Sequence, residues 1–422
     1  MKLFTNVSLP TSSAAFKRVN VLFNETIFKI SSDEIQSDEL TEIIDLKGKI
    51  LLPGAVDAHS HIITEKDAEK NLSHITKSAL LGGWTTFAEL SYFNPKPIFH
   101  LEDIKYWQEL IDKNSFLDMA LWGNVNIASY PYHAEAAQEL WSQGIVGFAL
   151  LHPSPNKHIP TISLPEIMDL FLDIYESDTL FAFQGYDFED DQEFSFQSQD
   201  NAIKKLLRRI QENPIHLPYV SYYPTLEFLN SIYKRTDISY ALNIADLMKF
   251  FSGIDLGQEI ELDDPEHQLF ELLRTNKIYM LSNNVEASSV PENVSLAFRG
   301  TTEKLLPYSY LWTLSELWKK RKVPLATVIK MTSENSAKRL GLYPTKGCIA
   351  AGSDADFVIY NPEKETLFKA PDGSINKLEG SIEEVYLRGN RVVQKGKVAT
   401  ASGSFLFRKN SPKRRYNTTS WI

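Results

Sequence analysis

The chain has 422 residues, 43% of them apolar and 23% charged, which is the balance of a soluble globular protein larger than a usual single domain. A net charge of -10 argues against nucleic acid as the main partner, because phosphate binding needs a basic face. The single cysteine, Cys348, excludes a disulfide framework and any multi-thiolate metal site.

Residues 1–52 carry short apolar segments, Val19–Ile30 and Glu42–Leu52 among them, separated by polar turns, a pattern that predicts small antiparallel strands. From residue 53 to 342 the texture changes. Helical stretches at Asp67–Leu81, Ile104–Asn114, Ala134–Ser142, Leu164–Ser177, Asn201–Asn213 and Ser309–Lys320 alternate with short apolar runs at Trp84–Leu90, Met119–Val125, Gly147–Leu151, Leu180–Phe183, Ile215–Tyr219 and Ile278–Leu281. Strand then helix, many times over, predicts a parallel sheet closed into a (β/α)8 barrel. Residues 343–407 return to strands at Asp356–Tyr360, Ile382–Leu387 and Asn390–Val393, with Gly389-Asn390 as a hairpin turn. The expected architecture is therefore α/β: a TIM-like barrel over 53–342 and a small β-sandwich domain built from both chain ends, 1–52 and 343–422. The basic tail Arg408-Lys409-Asn410-Ser411-Pro412-Lys413-Arg414-Arg415 reads as a solvated extension, with contact to an acidic surface or a partner as the alternative. The N-terminus lacks the apolar core of a signal peptide and no run is long enough to span a bilayer. A reducing cytoplasm, without membrane contact, is the expected location. The Asn-x-Ser/Thr triplets, as at Asn417, carry no meaning in that setting.

The most informative stretch is Gly48-Lys49-Ile50-Leu51-Leu52-Pro53-Gly54-Ala55-Val56-Asp57-Ala58-His59-Ser60-His61. Along a strand, a period of two places Asp57, His59 and His61 on one side. Two imidazoles converging from one strand make half of a zinc site.

Pro53-Gly54-Ala55-Val56-Asp57-Ala58-His59-Ser60-His61 resembles the first barrel strand of the amidohydrolase superfamily, in its branch of dihydroorotases, dihydropyrimidinases (hydantoinases) and allantoinases. Gly82-Gly83-Trp84-Thr85-Thr86 resembles the next marker of that branch, and Met331 to Lys338 with Gly341-Leu342-Tyr343-Pro344 its closing helix. Lys346-Gly347 through Ala350-Ala351-Gly352-Ser353-Asp354-Ala355-Asp356 resembles its re-entry into the β-domain. The markers run from about residue 45 to 395, and the overall length is nearer to dihydroorotases than to hydantoinases. The resemblance implies hydrolysis of a cyclic amide at two metal ions held by the two histidines of the first strand, a carbamylated lysine, two further histidines and an aspartate. At the lysine position this chain has Ala149, after Gly147-Phe148. At the third and fourth histidines it has Gln184 and Tyr219, and at the aspartate Asn283, followed by Asn284. Four of six ligand positions thus carry groups that bind zinc poorly or not at all. Dihydroorotases carry a substrate-gripping arginine where this chain has Ile63, and an asparagine where it has Tyr92. Loss of the arginine fork argues against dihydroorotate as substrate.

The expected cofactor is none or one weakly bound zinc, on a remnant site of His59 and His61. Glu89, Asp187 and Glu286 are candidate replacements for the lost ligands, each with the plainer reading of a solvated loop acid. His152 reads as a surface or packing residue and His216 as part of its strand. His59 and His61 themselves either retain metal or pack, with Asp57 accepting an imidazole N–H. No catalytic residue is assigned. A neutral pocket lined by Tyr92, Ala149, Gln184, Tyr219, Asn283 and Asn284 is expected. The resemblance implies a homo-oligomer, dimer or tetramer, and a possible aspartate transcarbamoylase-like partner in pyrimidine metabolism. Three functions remain open: a non-catalytic structural or regulatory homologue, a divergent single-metal or metal-free cyclic amide hydrolase, and a small-molecule binding protein.

Overall fold

The protein is described here by a computed structural model, for residues 1–422 except 13–14, 37, 91, 175–177, 191–192, 209–213, 233–236, 255–266, 291–294, 401–402 and 410–422. Short apolar runs with both faces buried make parallel strands, and amphipathic helices cover them. The strands follow in chain order: Ala55–Ser60, Trp84–Glu89, Asp118–Leu121 continued by Gly123–Asn124, Phe148–His152, Phe181–Gly185, Ile215–Leu217, Ile238–Asn243 and Met280–Ser282. Neighbours pair in parallel, as in Thr86↔Asp118, Phe148↔Phe181 and Ile215↔Ile238. The barrel closes where the His61 N–H donates to the Val285 carbonyl at 2.7 Å and the Ala287 N–H to that of His61 at 3.2 Å.

Helices Ala68–Leu81, Leu101–Asn114, His133–Gln143, Leu164–Asp173 and Phe196–Leu207 fall close to the predicted stretches. The far ends of the predicted Leu164–Ser177 and Asn201–Asn213 lie outside the described residues. Ser163 and Ser195 each start their helix with a capping box, which fixes where the chain turns from loop to helix. The predicted Ser309–Lys320 helix begins earlier, as Leu306–Trp312, and continues as the π-helical Thr313–Lys320.

The two chain ends together form one nine-stranded sheet. Lys2–Pro10 pairs antiparallel with Phe16–Phe23 but parallel with Glu42–Asp45, so the expectation of purely antiparallel pairing is corrected. Ile50–Pro53 then pairs with Phe357–Lys369, which stitches the N-terminal to the C-terminal strands. Register shifts bend the sheet around its own core, in which Phe4, Phe23, Phe357 and Tyr386 meet ring to ring at 4.6–6.4 Å. The strands Phe357–Lys369 and Ile375–Leu387 extend well beyond their predicted bounds as a long hairpin, with Phe368 and Leu378 packed into the main core.

At the N-terminal end of the barrel a buried ion cluster joins barrel to sheet. Lys346 Nζ lies 2.5 Å from Asp118 and 2.8 Å from both Asp354 and Asp356. Arg388 pairs with the other oxygen of Asp118, and its backbone N–H donates to Asp356 at 2.7 Å. Burial alone would push the Asp118 carboxyl up, but Lys346 and Arg388 outweigh it and hold it below its ordinary value. The tail is not wholly solvated as expected. Phe405 bridges to Met119, and the Arg408 guanidinium stacks 3.6 Å over Trp141 and donates to the Trp141 and Ile145 carbonyls. The rest of the basic run, 410–415, lies outside the described residues.

Candidate functional site

The C-terminal ends of parallel barrel strands collect side chains from many strands on one face. Here that face gathers His59 and His61 from the first strand, Tyr92 after the second, His152 from the fourth, Gln184 from the fifth, Tyr219 after the sixth and Asn283 and Asn284 after the eighth. His59 and His61 stack with centroids 6.2 Å apart, and all of these residues are buried.

The eighth strand fixes the first. Ser282 Oγ donates to Asp57 Oδ1 at 2.6 Å, lies 3.1 Å from His59 Nδ1, and accepts the Asn284 N–H at 2.9 Å. With its proton given to Asp57, Ser282 accepts the His59 Nδ1–H, so Nε2 carries the lone pair. Asp57 therefore reaches His59 through a serine and does not itself accept an imidazole N–H. Asn283 donates to Asp57 Oδ2 from its backbone at 2.8 Å and its side chain at 2.9 Å. Burial pushes the Asp57 carboxyl up to about 6 despite these bonds. The Leu90 carbonyl accepts the His61 Nδ1–H, which leaves Nε2 its lone pair, 2.8 Å from the Asn284 carboxamide. Burial pushes His61 down to about 4 and His59 well below the ordinary histidine value, so both are neutral at pH 7.

The other expected ligand positions are occupied differently. Ala149 offers a methyl group, buried between Asn124 and Ala182 of the adjacent strands. Gln184 donates from Nε2 to the Ala297 carbonyl at 2.5 Å. Tyr219 lies against Asp246, whose carboxylate accepts the Ser221 hydroxyl; burial raises the Asp246 acid to about 7 and pushes the Tyr219 phenol up as well. These groups do not fit the lysine-bridged pair of metal ions that the resemblance implies. Among the described residues, the one group of three His, Cys, Asp or Glu close enough to share an ion is Asp118, Asp354 and Asp356, and the Lys346 ammonium already contacts all three.

The candidate replacement acids do not turn toward the histidines. Glu89 is buried, takes the Ser60 hydroxyl and accepts the Ile62 and Ile63 N–H groups at 2.8 and 2.9 Å. Asp187 is buried and pairs with Lys205 at 2.5 Å, and Glu286 accepts the Gly300 N–H at 2.7 Å. Solvated loop acids they are not, for the first two. His152 is fully buried, donating from Nδ1 to the Ile162 carbonyl at 2.9 Å and packing 4.6 Å from Phe188, so the packing reading holds and the surface one does not.

Sequence reasoning missed His216 as a resident of the barrel interior. Its ring lies 5.4 Å from His59 and 6.0 Å from Trp122, centroid to centroid. Ser239, one strand over in register, meets His216 Nδ1 at 2.9 Å. Burial, helped by Arg339, pushes His216 down to about 3.

A 3₁₀ turn at Leu296–Phe298 closes the face from outside. Tyr92 stacks on His61 at 4.0 Å, Phe298 meets Tyr92 edge-on at 5.2 Å, and the Ala297 carbonyl holds Gln184. Beyond the turn lies a cleft of about 650 Å³ lined by Thr64, Lys66, Phe93, Asn156, His158 and Phe298.

An eight-stranded parallel barrel joined to a sheet of both chain ends is the fold this chain shares with solved dihydropyrimidinase and hydantoinase structures. The chain matches the model of the amidohydrolase family over residues 302–393. It is 23% identical to a probable allantoinase 2 of Dictyostelium discoideum, covering 86% of this chain and 82% of that protein. It is equally 23% identical to an L-hydantoinase of Paenarthrobacter aurescens, over 94% and 96%. Among solved structures it is similar to a dihydropyrimidinase of Brevibacillus agri, with a TM-score of 0.80 at 17% identity over 98% of this chain and 99% of that one. These matches support a likeness to the amidohydrolase family, with relatives named allantoinase and hydantoinase. A dihydroorotase of Pyrococcus furiosus matches over 96 residues, 22% of this chain, so the leaning toward dihydroorotases drawn from length gains little. Among the described residues no helix is long and apolar enough to cross a membrane.

Proposed function

We propose that this chain is a non-catalytic member of the hydantoinase and allantoinase group, retained as a structural or regulatory scaffold with 53–342 as its barrel unit. One observation carries the reading: where the family places metal ligands, Ala149 has no donor atom, Gln184 is tied to Ala297, Tyr219 lies against Asp246 and Asn283 is tied to Asp57. An amide at position 283 cannot take a proton from water at neutral pH, and loss of a general base alone costs roughly 10²–10⁴ in rate. Assembly as a dimer or tetramer, and any pairing with an aspartate transcarbamoylase-like enzyme, rest on the family resemblance. The alternative of a divergent single-metal hydrolase draws on the His59 Nε2 lone pair, which has no hydrogen-bond partner in the structure.

The test is ring opening of hydantoin, allantoin, a dihydropyrimidine and dihydroorotate by the pure, zinc-supplied chain. No turnover above buffer is expected. Turnover that disappears in His59→Ala overturns the proposal and favours the divergent hydrolase.

A further inference from the structure

The 3₁₀ turn Leu296–Phe298 is tied to the barrel rim at three separate points. Gln184, in the fifth strand, donates from Nε2 to the Ala297 carbonyl at 2.5 Å. Asn284, after the eighth strand, donates from Nδ2 to the Arg299 carbonyl at 3.2 Å, and its own carbonyl accepts the Thr301 N–H at 2.7 Å. Tyr92, after the second strand, meets the Phe298 ring edge-on at 5.2 Å while stacking on His61 at 4.0 Å. A backbone carried into a buried place must find partners for its polar groups. Here the side chains of the mouth supply them, so the turn is set into the mouth and not laid over it. Ala297 and Phe298 are 1% and 2% exposed. Phe298 also borders the outer cleft, which places its ring between that cleft and Tyr92.

We infer that residues 295–301 are a plug built into the chain, latched by Gln184 and Asn284, that shuts the barrel interior against small molecules and opens as a local unit while the barrel stays folded. The latches stand at the fifth and eighth strands and the Phe298–Tyr92 contact at the second, so the hold runs right round the mouth. Gln184 occupies a position where the family resemblance implies a ligand, and Asn284 follows another. Their carboxamides, poor metal ligands, are good hydrogen-bond donors, and they spend that capacity on the carbonyls of the turn. The turn is held by side-chain bonds and not by a strand ladder, which puts it at the low-stability end of the molecule. Beneath it His59 and His216 are wholly buried. The plug rests on this packing and not on the loss of hydrolysis: turnover would refute that loss and leave the plug to be judged by access alone.

The experiment is acylation of the full-length chain by diethyl pyrocarbonate at neutral pH, read histidine by histidine by mass spectrometry. His59 Nε2 and His216 Nε2 have no hydrogen-bond partner, so access alone limits their reaction. In wild type both should react at least about 100-fold more slowly than the exposed His74, His100 and His158. Gln184→Leu keeps the volume and removes the donor, and Phe298→Ala removes the ring. Each should speed His59 and His216 by about tenfold. His152, buried against Ile162 and Phe188 away from the turn, should stay as slow as in wild type. Wild-type His59 or His216 as reactive as His158 overturns the plug, as does either variant that leaves both as slow as before. Should His152 speed up too, the variants have unfolded, and hydrogen exchange of wild type decides. Amides of 297–301 exchanging at least about tenfold faster than those of Ala55–Ser60 and Phe181–Gly185 support local opening, and one common rate overturns it.

Discussion

Replacing Lys346 with methionine should lower the stability of the protein by about 3–5 kcal/mol, the usual cost of removing one partner from a buried ion pair. The ammonium is 1% exposed and contacts three carboxylates from the third barrel strand and from the connection into the sheet. Without it Asp118 keeps Arg388, but Asp354 and Asp356 face each other in a poorly solvated space. Isosteric methionine fills the volume, so the loss is electrostatic and not a cavity. Urea unfolding of Lys346→Met against wild type measures it, with Lys377→Met as a control. Lys377 pairs with Glu365 at 2.6 Å on the surface, its side chain 60% exposed, and its loss should cost less than about 1 kcal/mol. Equal midpoints for all three proteins would show that the cluster does not hold barrel and sheet together.

Gly389→Ala should cost about 2–4 kcal/mol, combining left-handed backbone strain with overpacking. The hairpin turn is formed by Arg388 and Gly389, with φ of 43° and 71°, so Leu387 faces Asn390. Two consecutive positive φ values define a type I′ turn, which matches the twist of the flanking strands. A Cβ on Gly389 would stand 1.8 Å from the Asn24 carbonyl, and that carbonyl belongs to the neighbouring strand connection and cannot swing away. Thermal unfolding of Gly389→Ala measures the effect, and a melting temperature unchanged from wild type would refute the strain.

That turn also shows how far the sequence could be read. Gly-Asn at 389–390 signals a hairpin, but the structure places the turn one residue earlier, because Arg388 accepts a left-handed conformation while its side chain reaches Asp118. Local turn propensity cannot foresee a long-range ion pair. The barrel was legible from the alternation of short apolar runs and helices, yet the run Ile238–Asn243 escaped. It passes into helix Ile244–Ser252 with no loop between, Asn243 capping the helix by accepting the Ala245 N–H at 2.9 Å, so nothing punctuates the boundary. The outer halves of the 357–387 hairpin escaped for another reason: Asn361-Pro362 sits in an irregular stretch of the ladder, and Pro and charge there read as loop.

The site divides in the same way. Spacing alone places Asp57, His59 and His61 together, since a period of two is a property of the strand. His216 lies on a strand buried on both faces, where periodicity does not say which side chains point inward. Its approach to His59 depends on barrel closure, as does the role of Ser282, contributed 225 residues from the Asp57 it serves. Glu89, Asp187 and Glu286 stand near strand ends as expected, but backbone N–H groups and Lys205 claim them, a competition invisible without the loops in place.

The most direct test of the account is the zinc stoichiometry of the intact chain, by plasma mass spectrometry after loading with zinc and removal of excess. Less than one zinc per chain is the predicted result, because among the described residues no group of three His, Cys, Asp or Glu stands at the barrel mouth to hold an ion. Two zinc ions per chain would contradict it, because a full binuclear centre would then exist that His59, His61, Gln184, Tyr219 and Asn283, as they are bonded here, cannot form.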